Sequence, residues 1–223
     1  MTQKPDRKFY LKQFKAISNA ISTYEDFNLL VNHLVEGVCR TFKVRGASIM
    51  ILDQIEKQLF RVSSYGISDE YLNKGPLFID DKYCSMGTGK VELFEDIQND
   101  PRIHYPEAAK KEGLVSMLGI PIKFRSWVIG VIRIYHDDVL NLHESDVDSL
   151  CVLGNQLGLV IEANGLKNFV DHVNMAFEQL PPPTGQGKLQ ITPEETTGWI
   201  YGKRPLPETK GDGCGKFLAY SVK

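Results

Sequence analysis

Apolar positions along the chain move between a helical and a strand period, and each change marks a new element. Tyr10, Phe14, Ile17 and Ile21 recur at alternating steps of four and three, the seam of an amphipathic helix over 7–21 that needs another helix to cover it. Thr23 followed by Asp26 resembles a capping box. Phe27, Leu30, Val31, Leu34, Val35, Val38, Cys39 and Phe42 then keep the helical period and predict a second helix over roughly 24–42. The period next shortens. Residues 47–52 and 59–65 are β-rich runs separated by the polar stretch 53–58, which predicts a hairpin. Between Gly66 and Gly89 the chain is mixed, punctuated by Gly75-Pro76, Asp80-Asp81 and Gly87-Thr88-Gly89. An irregular stretch of that length is the natural candidate for a ligand lid.

A short strand at 91–94 is closed by Asn99-Asp100-Pro101, and the polar helix-like segment 106–112 ends at Gly113. The two strongest strands follow. Residues 115–124 carry Leu118, Ile120 and Ile122 around Pro121, and 127–135 is apolar on both faces, as a covered central strand would be. Arg125-Ser126 joins them as a hairpin. From Ser145 a long helix is predicted to about Leu180, with Val147, Leu150, Gly154, Leu157 and Ile161 at steps of three and four. Gly154 and Gly158, one turn apart, are expected to let this helix sit close on the sheet. Residues 181–223 hold six of the 11 prolines and seven of the 19 glycines, which predicts a linker and tail. Trp199 and Phe217 are apolar enough for part of that tail to dock. The organisation is therefore an N-terminal helix over 1–23, a main domain over 24–180 and a Pro/Gly-rich tail over 181–223.

Composition changes this picture little. Apolar residues at 42% and charged residues at 24% are globular values. With 26 basic and 28 acidic residues and no basic stripe, nucleic acid is not an expected partner. No apolar run reaches the roughly 18 residues of a membrane span, and the N-terminus lacks the apolar core of a signal peptide, so a soluble cytoplasmic protein is expected. Cys39, Cys84, Cys151 and Cys214 are widely spaced, which argues for reduced thiols and against a zinc or disulfide framework.

Four strings make a family resemblance specific: VELFEDI at 91–97 before DPR at 100–102, EGLVSMLGIPI at 112–122, VIGVI at 128–132 and QLGLVIEAN at 156–164. With the order of elements, they make the span 24–166 resemble a GAF domain. The resemblance implies an α+β fold: an antiparallel sheet of five to six strands, terminal helices packed on one face, and a small-molecule pocket with an irregular lid on the other. It does not fix the ligand.

On the strand 127–135, Val128, Gly130, Ile132 and Ile134 share one side and Ile129, Val131, Arg133 and Tyr135 the other. The first group suits the face beneath the helices, and the second is expected to face the pocket. Arg133 in an apolar strand is costly to bury alone, so it is expected to meet either Glu92 or Asp96, or an anionic ligand. Arg133, Tyr135, Met117, Tyr83 and Cys84 are the candidate ligand-binding residues.

Enzymatic function is not expected. The free methionine-R-sulfoxide reductases resemble this chain within the same family, and Cys84 stands near one of their cysteines. Their other cysteines are absent here, Met117, Arg133 and Tyr135 replace their acidic pocket residues, and a lone thiol cannot complete an intramolecular disulfide cycle. The histidines show no paired ligand spacing. Gly89-Lys90, Gly187-Lys188 and Gly215-Lys216 lack the rest of a phosphate loop. No motif specifies a cofactor or metal. The reading is a ligand-sensing module that passes occupancy to a separate signalling protein. Its rival is a ligand-free dimerisation scaffold, and in either case the seams Tyr10 to Ile21 and Val147 to Ile161 are expected to form a homodimer.

Overall fold

A computed structural model describes residues 11–24, 26–79 and 85–178. Tyr10, Tyr83, Cys84 and the tail with Trp199 and Phe217 lie outside the described residues. The chain begins with helix α1 (Leu11–Thr23) and helix α2 (Phe27–Phe42). Asp26 itself caps α2, its carboxylate accepting from the backbone N–H groups of Asn28 at 2.8 Å and Leu29 at 3.2 Å. The expected partnership with Thr23 is not made, because the Thr23 hydroxyl donates back to Asn19 within α1. One face of α2, from Leu30 to Phe42, is buried as its period requires.

Six strands follow: β1 (Gly46–Asp53), β2 (Gln58–Tyr65), β3 (Leu77–Phe78), β4 (Glu92–Phe94), β5 (Ser116–Phe124) and β6 (Trp127–His136). They form one antiparallel sheet in the order β3-β2-β1-β6-β5-β4, which puts β1 and β6 in its middle. Short helices α3 (Asp69–Leu72), α4 (Ser85–Thr88) and α5 (Pro106–Glu112) interrupt the strands, and α6 (Glu144–Glu178) ends the described chain. No described helix is long and apolar enough to cross a membrane.

The sheet is covered on both faces. Leu118, Ile120, Ile122, Ile132 and Ile134 pack with the buried faces of α2 and α6 in the largest core cluster. On the other face Met50, Leu59, Leu77, Met86 and Val131 form a second cluster, and Tyr71, Phe94, Ile97, Met117 and Tyr135 a third. The alternation expected for β6 holds from Gly130 onward and inverts before it. Lys123 pairs with Val128 while Ile122 pairs with Gly130, so an extra residue is inserted at Ile129. That bulge turns Ile129 into the helix-side core and Val128 toward the lid-side cluster.

The expected outward seam of α6 is also corrected. Val147, Leu150 and Leu157 are buried against the domain's own sheet, and Gly154 and Gly158 bring the helix against the backbone of β5. Full burial of α6 ends at Gly158 among the described side chains, with Val160 and Ile161 partly buried against the largest core cluster. Beyond it the helix continues with Leu159, Leu166 and Val170 exposed. Cys39 meets the expectation of a free thiol, and burial, with Glu36 contributing less, pushes it up to about 12. Cys151 does not, being disulfide-bonded.

Candidate functional site

Between the lid-side face of the sheet and the helices above it lies a cavity of about 690 Å³, within the size range that encloses small ligands. Strand register builds its floor. Arg133 pairs with Gly119 on β5, which pairs with Glu92 on β4, so the three stand in one row on the same face. Gly119 places no side chain in that row between Arg133 and Glu92. Leu59, Leu77, Ile79, Phe94 and Met117 supply apolar walls.

The roof is held by α3 and α5. The Glu112 carboxylate accepts from the backbone N–H of Ser68 at 2.9 Å and from its hydroxyl, while Lys111 pairs with Glu70. Ser68 in turn caps α3 by accepting from Tyr71 N–H at 3.2 Å. The Tyr71 ring meets Tyr135 edge-on at 5.7 Å, a favourable aromatic geometry. After α3 the chain turns at Gly75, whose φ of +135° is a conformation that residues with a side chain rarely adopt. Tyr105 fills the space where a Gly75 side chain would stand, and its hydroxyl donates to the Pro76 carbonyl at 2.8 Å.

This turn delivers Lys74 to the cavity. Its ammonium donates to the Tyr71 carbonyl at 3.0 Å and sits 3.6 Å from the centre of the Tyr71 ring. Burial, then the positive charges of Arg133 and Arg61, lower Lys74 to about 8, against a smaller opposing effect of Glu112. The other cation–carboxylate pair in the wall is closed: Arg102 donates from Nε to Asp100 at 2.9 Å and from Nη2 at 2.5 Å, which holds the Asp100 carboxyl below its ordinary range. Arg133 has no such partner. No hydrogen bond or ion pair joins its guanidinium to any described residue. Asp96 accepts from Gln98 and Asn99 in its own turn, and Glu92 accepts from Thr88, so neither expected carboxylate has formed the pair.

Of the five residues expected at the site, Arg133 and Met117 line the cavity. Tyr135 lies below it, buried, its hydroxyl 3.4 Å from Ser48, and supports Tyr71. Tyr83 and Cys84 lie outside the described residues. Lys74 was not among the expected residues. Its only sequence signal is its place before the Gly75-Pro76 turn. Among the described residues no group of three His, Cys, Asp or Glu side chains could hold a metal ion.

No curated protein matches the chain in sequence. Among solved structures, the GAF domain of a phosphoenolpyruvate-protein phosphotransferase from Acinetobacter superposes with a TM-score of 0.60 at 21% identity, covering 71% of this chain and 96% of that one. The corresponding domain from Coxiella burnetii gives 0.61 at 18% identity, covering 71% and 95%. A free methionine-R-sulfoxide reductase from Neisseria meningitidis, solved with its substrate, gives 0.58 at 14% identity, covering 75% and 99%. At these identities the likeness is one of fold. The model of the GAF domain matches residues 26–161, more than half of the chain. A sheet in the order β3-β2-β1-β6-β5-β4, helices on one face and a roofed cavity on the other agree with that match, and the chain belongs to the GAF domain family.

Proposed function

We propose that this protein is a cytoplasmic sensory module that binds a small, anionic molecule in the cavity above Gly119 and passes occupancy to a separate signalling protein, without catalysis. One observation carries the reading: Arg133 lines the cavity without a carboxylate partner among the described residues. A half-buried guanidinium in that position is stabilised when an anion enters. Native mass spectrometry of the purified protein is expected to find a bound small molecule that is lost on denaturation. Protein free of any bound mass after gentle purification from its own host, with no metabolite stabilising it against heat, would contradict the reading. The absence of catalysis is tested separately: no thioredoxin-dependent reduction of free methionine-R-sulfoxide above background is expected.

The output is assigned to α6. Leu159, Ala163, Leu166, Val170 and Val173 alternate at steps of four and three after the helix has left the sheet, which is the spacing of a coiled-coil seam. A homodimer through this segment places the part of α6 that touches β5 and the part that touches a second copy on one rigid rod. The double substitution Leu166→Glu and Val170→Glu is expected to convert a dimer to a monomer in sedimentation at tens of micromolar, with the melting transition of the domain retained. Wild-type protein sedimenting as a monomer would remove the dimer.

A further inference from the structure

The cavity brings two cations together, and neither forms an ion pair with a described carboxylate. Lys74 arrives from the turn after α3 and Arg133 from β6, and each lines the same space. Among the described residues the Lys74 ammonium bonds only to the Tyr71 carbonyl and ring face, and the Arg133 guanidinium has no bonded partner. Asp100 is occupied by Arg102. Glu92 stands on the far side of Gly119, about 10 Å away between Cα atoms, two strand spacings from Arg133. Next to the cations the wall turns apolar: Leu59 and Leu77 are buried in one cluster with Ile79 packed against it.

We propose that Lys74 and Arg133 together receive the anionic head of an amphipathic small molecule, a carboxylate or a phosphate monoester, whose apolar body lies along Leu59, Leu77 and Ile79. The proposal rests on the cavity being the ligand site. Arg133 supplies a planar fork of donors, which fits two oxygens of either head group, and Lys74 adds a point charge from the roof. Head-group binding bridges α3 and the sheet, because Lys74 belongs to the roof and Arg133 to the floor.

Binding is also linked to protons. Four charged or titratable groups face Lys74: Tyr71 on α3, Glu112 on α5, Arg61 on β2 and Arg133 on β6. Guanidinium groups and carboxylates do not titrate between about pH 8 and 10, and burial pushes the Tyr71 phenol upward. Among these described groups Lys74 alone changes charge there. An anion beside it favours the ammonium, so the complex takes up a proton as pH exceeds about 8, and affinity falls as pH rises from there.

The test uses the full chain with four probes: hexanoate, hexyl phosphate, the neutral hexanamide and inorganic phosphate. Binding is followed by calorimetry and by methyl resonances of the cavity wall. Hexanoate or hexyl phosphate is expected to bind at least about tenfold more tightly than hexanamide and than inorganic phosphate. Whichever of the two binds names the head group. Arg133→Met is expected to cost about a hundredfold in affinity and Lys74→Met about tenfold, the range of charged hydrogen bonds. Lys74→Arg should restore the affinity but not the loss of affinity above about pH 8, because its guanidinium stays charged. Hexanamide binding as tightly as hexanoate, with Arg133→Met unaffected, would overturn the cradle and leave the cavity as a ligand site. No response of the cavity wall to any probe at millimolar concentration would overturn both. Equal binding of inorganic and hexyl phosphate would overturn the part assigned to the apolar wall.

Discussion

Replacing Gly158 with alanine is expected to destabilise the domain by about 3 kcal/mol or more, an unusual cost for one methyl group. Glycine to alanine inside a helix ordinarily gains about 1 kcal/mol. At Gly158 the added carbon would stand 1.9 Å from the carbonyl oxygen of Lys123 and 2.5 Å from its carbonyl carbon, and neither backbone atom is a side-chain end that can swing away. Relief requires α6 to lift from β5, which opens the core around Leu150, Leu153 and Leu157. Gly165 lies two turns further along the same helix with nothing within 4 Å of its added carbon. Gly165→Ala is therefore expected to raise stability by up to about 1 kcal/mol. Chemical denaturation of the two variants checks the contrast. Equal effects would mean that α6 does not lie on the sheet at the described distance.

The second large effect is at Leu157. Its side chain is fully buried in the cluster between α6 and the sheet. Leu157→Glu puts a carboxylate into that cluster without a partner, and a cost above about 4 kcal/mol is expected, enough to unfold a domain of ordinary stability. The measured outcome should be loss of the cooperative melting transition. A well-folded monomer from the same substitution would instead place Leu157 at an intermolecular contact. Leu166 provides the comparison, since its exposure on the free part of the helix predicts a change in assembly with the fold kept.

These two residues show where the sequence was legible. A step of three and four identifies an apolar stripe on a helix, and α2 and α6 both carry one, but the period does not say whether a sheet or a second copy covers it. Gly154 and Gly158 held that information, since two glycines one turn apart mark a close approach of backbone to backbone. Strands β5 and β6 and the covered, central character of β6 were readable because both are long, β-branched and apolar. The face reversal at Val128 and Ile129 was not, because a bulge inserts one residue without any change in composition. Strand β3, two residues long, leaves no period to read.

At the site, Arg133 was legible as a charge in an otherwise apolar strand. Met117 followed from the family resemblance, as a residue standing where the reductases carry an acidic pocket residue. Lys74 was hidden in a polar loop where lysines are ordinary, and its proximity to Arg133 arises only when Gly75 turns the chain and Glu112 ties α3 to α5. The missing signal was tertiary: Tyr71 and Tyr135 are far apart in sequence and stack to set the height of the roof.

The central claim, a small-molecule site on the lid side of the sheet, is tested most directly by methyl-labelled NMR during titration with fractionated metabolites of the host cell. One fraction is expected to shift Leu59, Leu77, Ile79 and Met117 while Leu150 and Leu153 on the helix side stay in place, and Arg133→Met is expected to remove the shifts. Lid-side methyls that remain unmoved by every fraction, or shifts of equal size on both faces of the sheet, would contradict it.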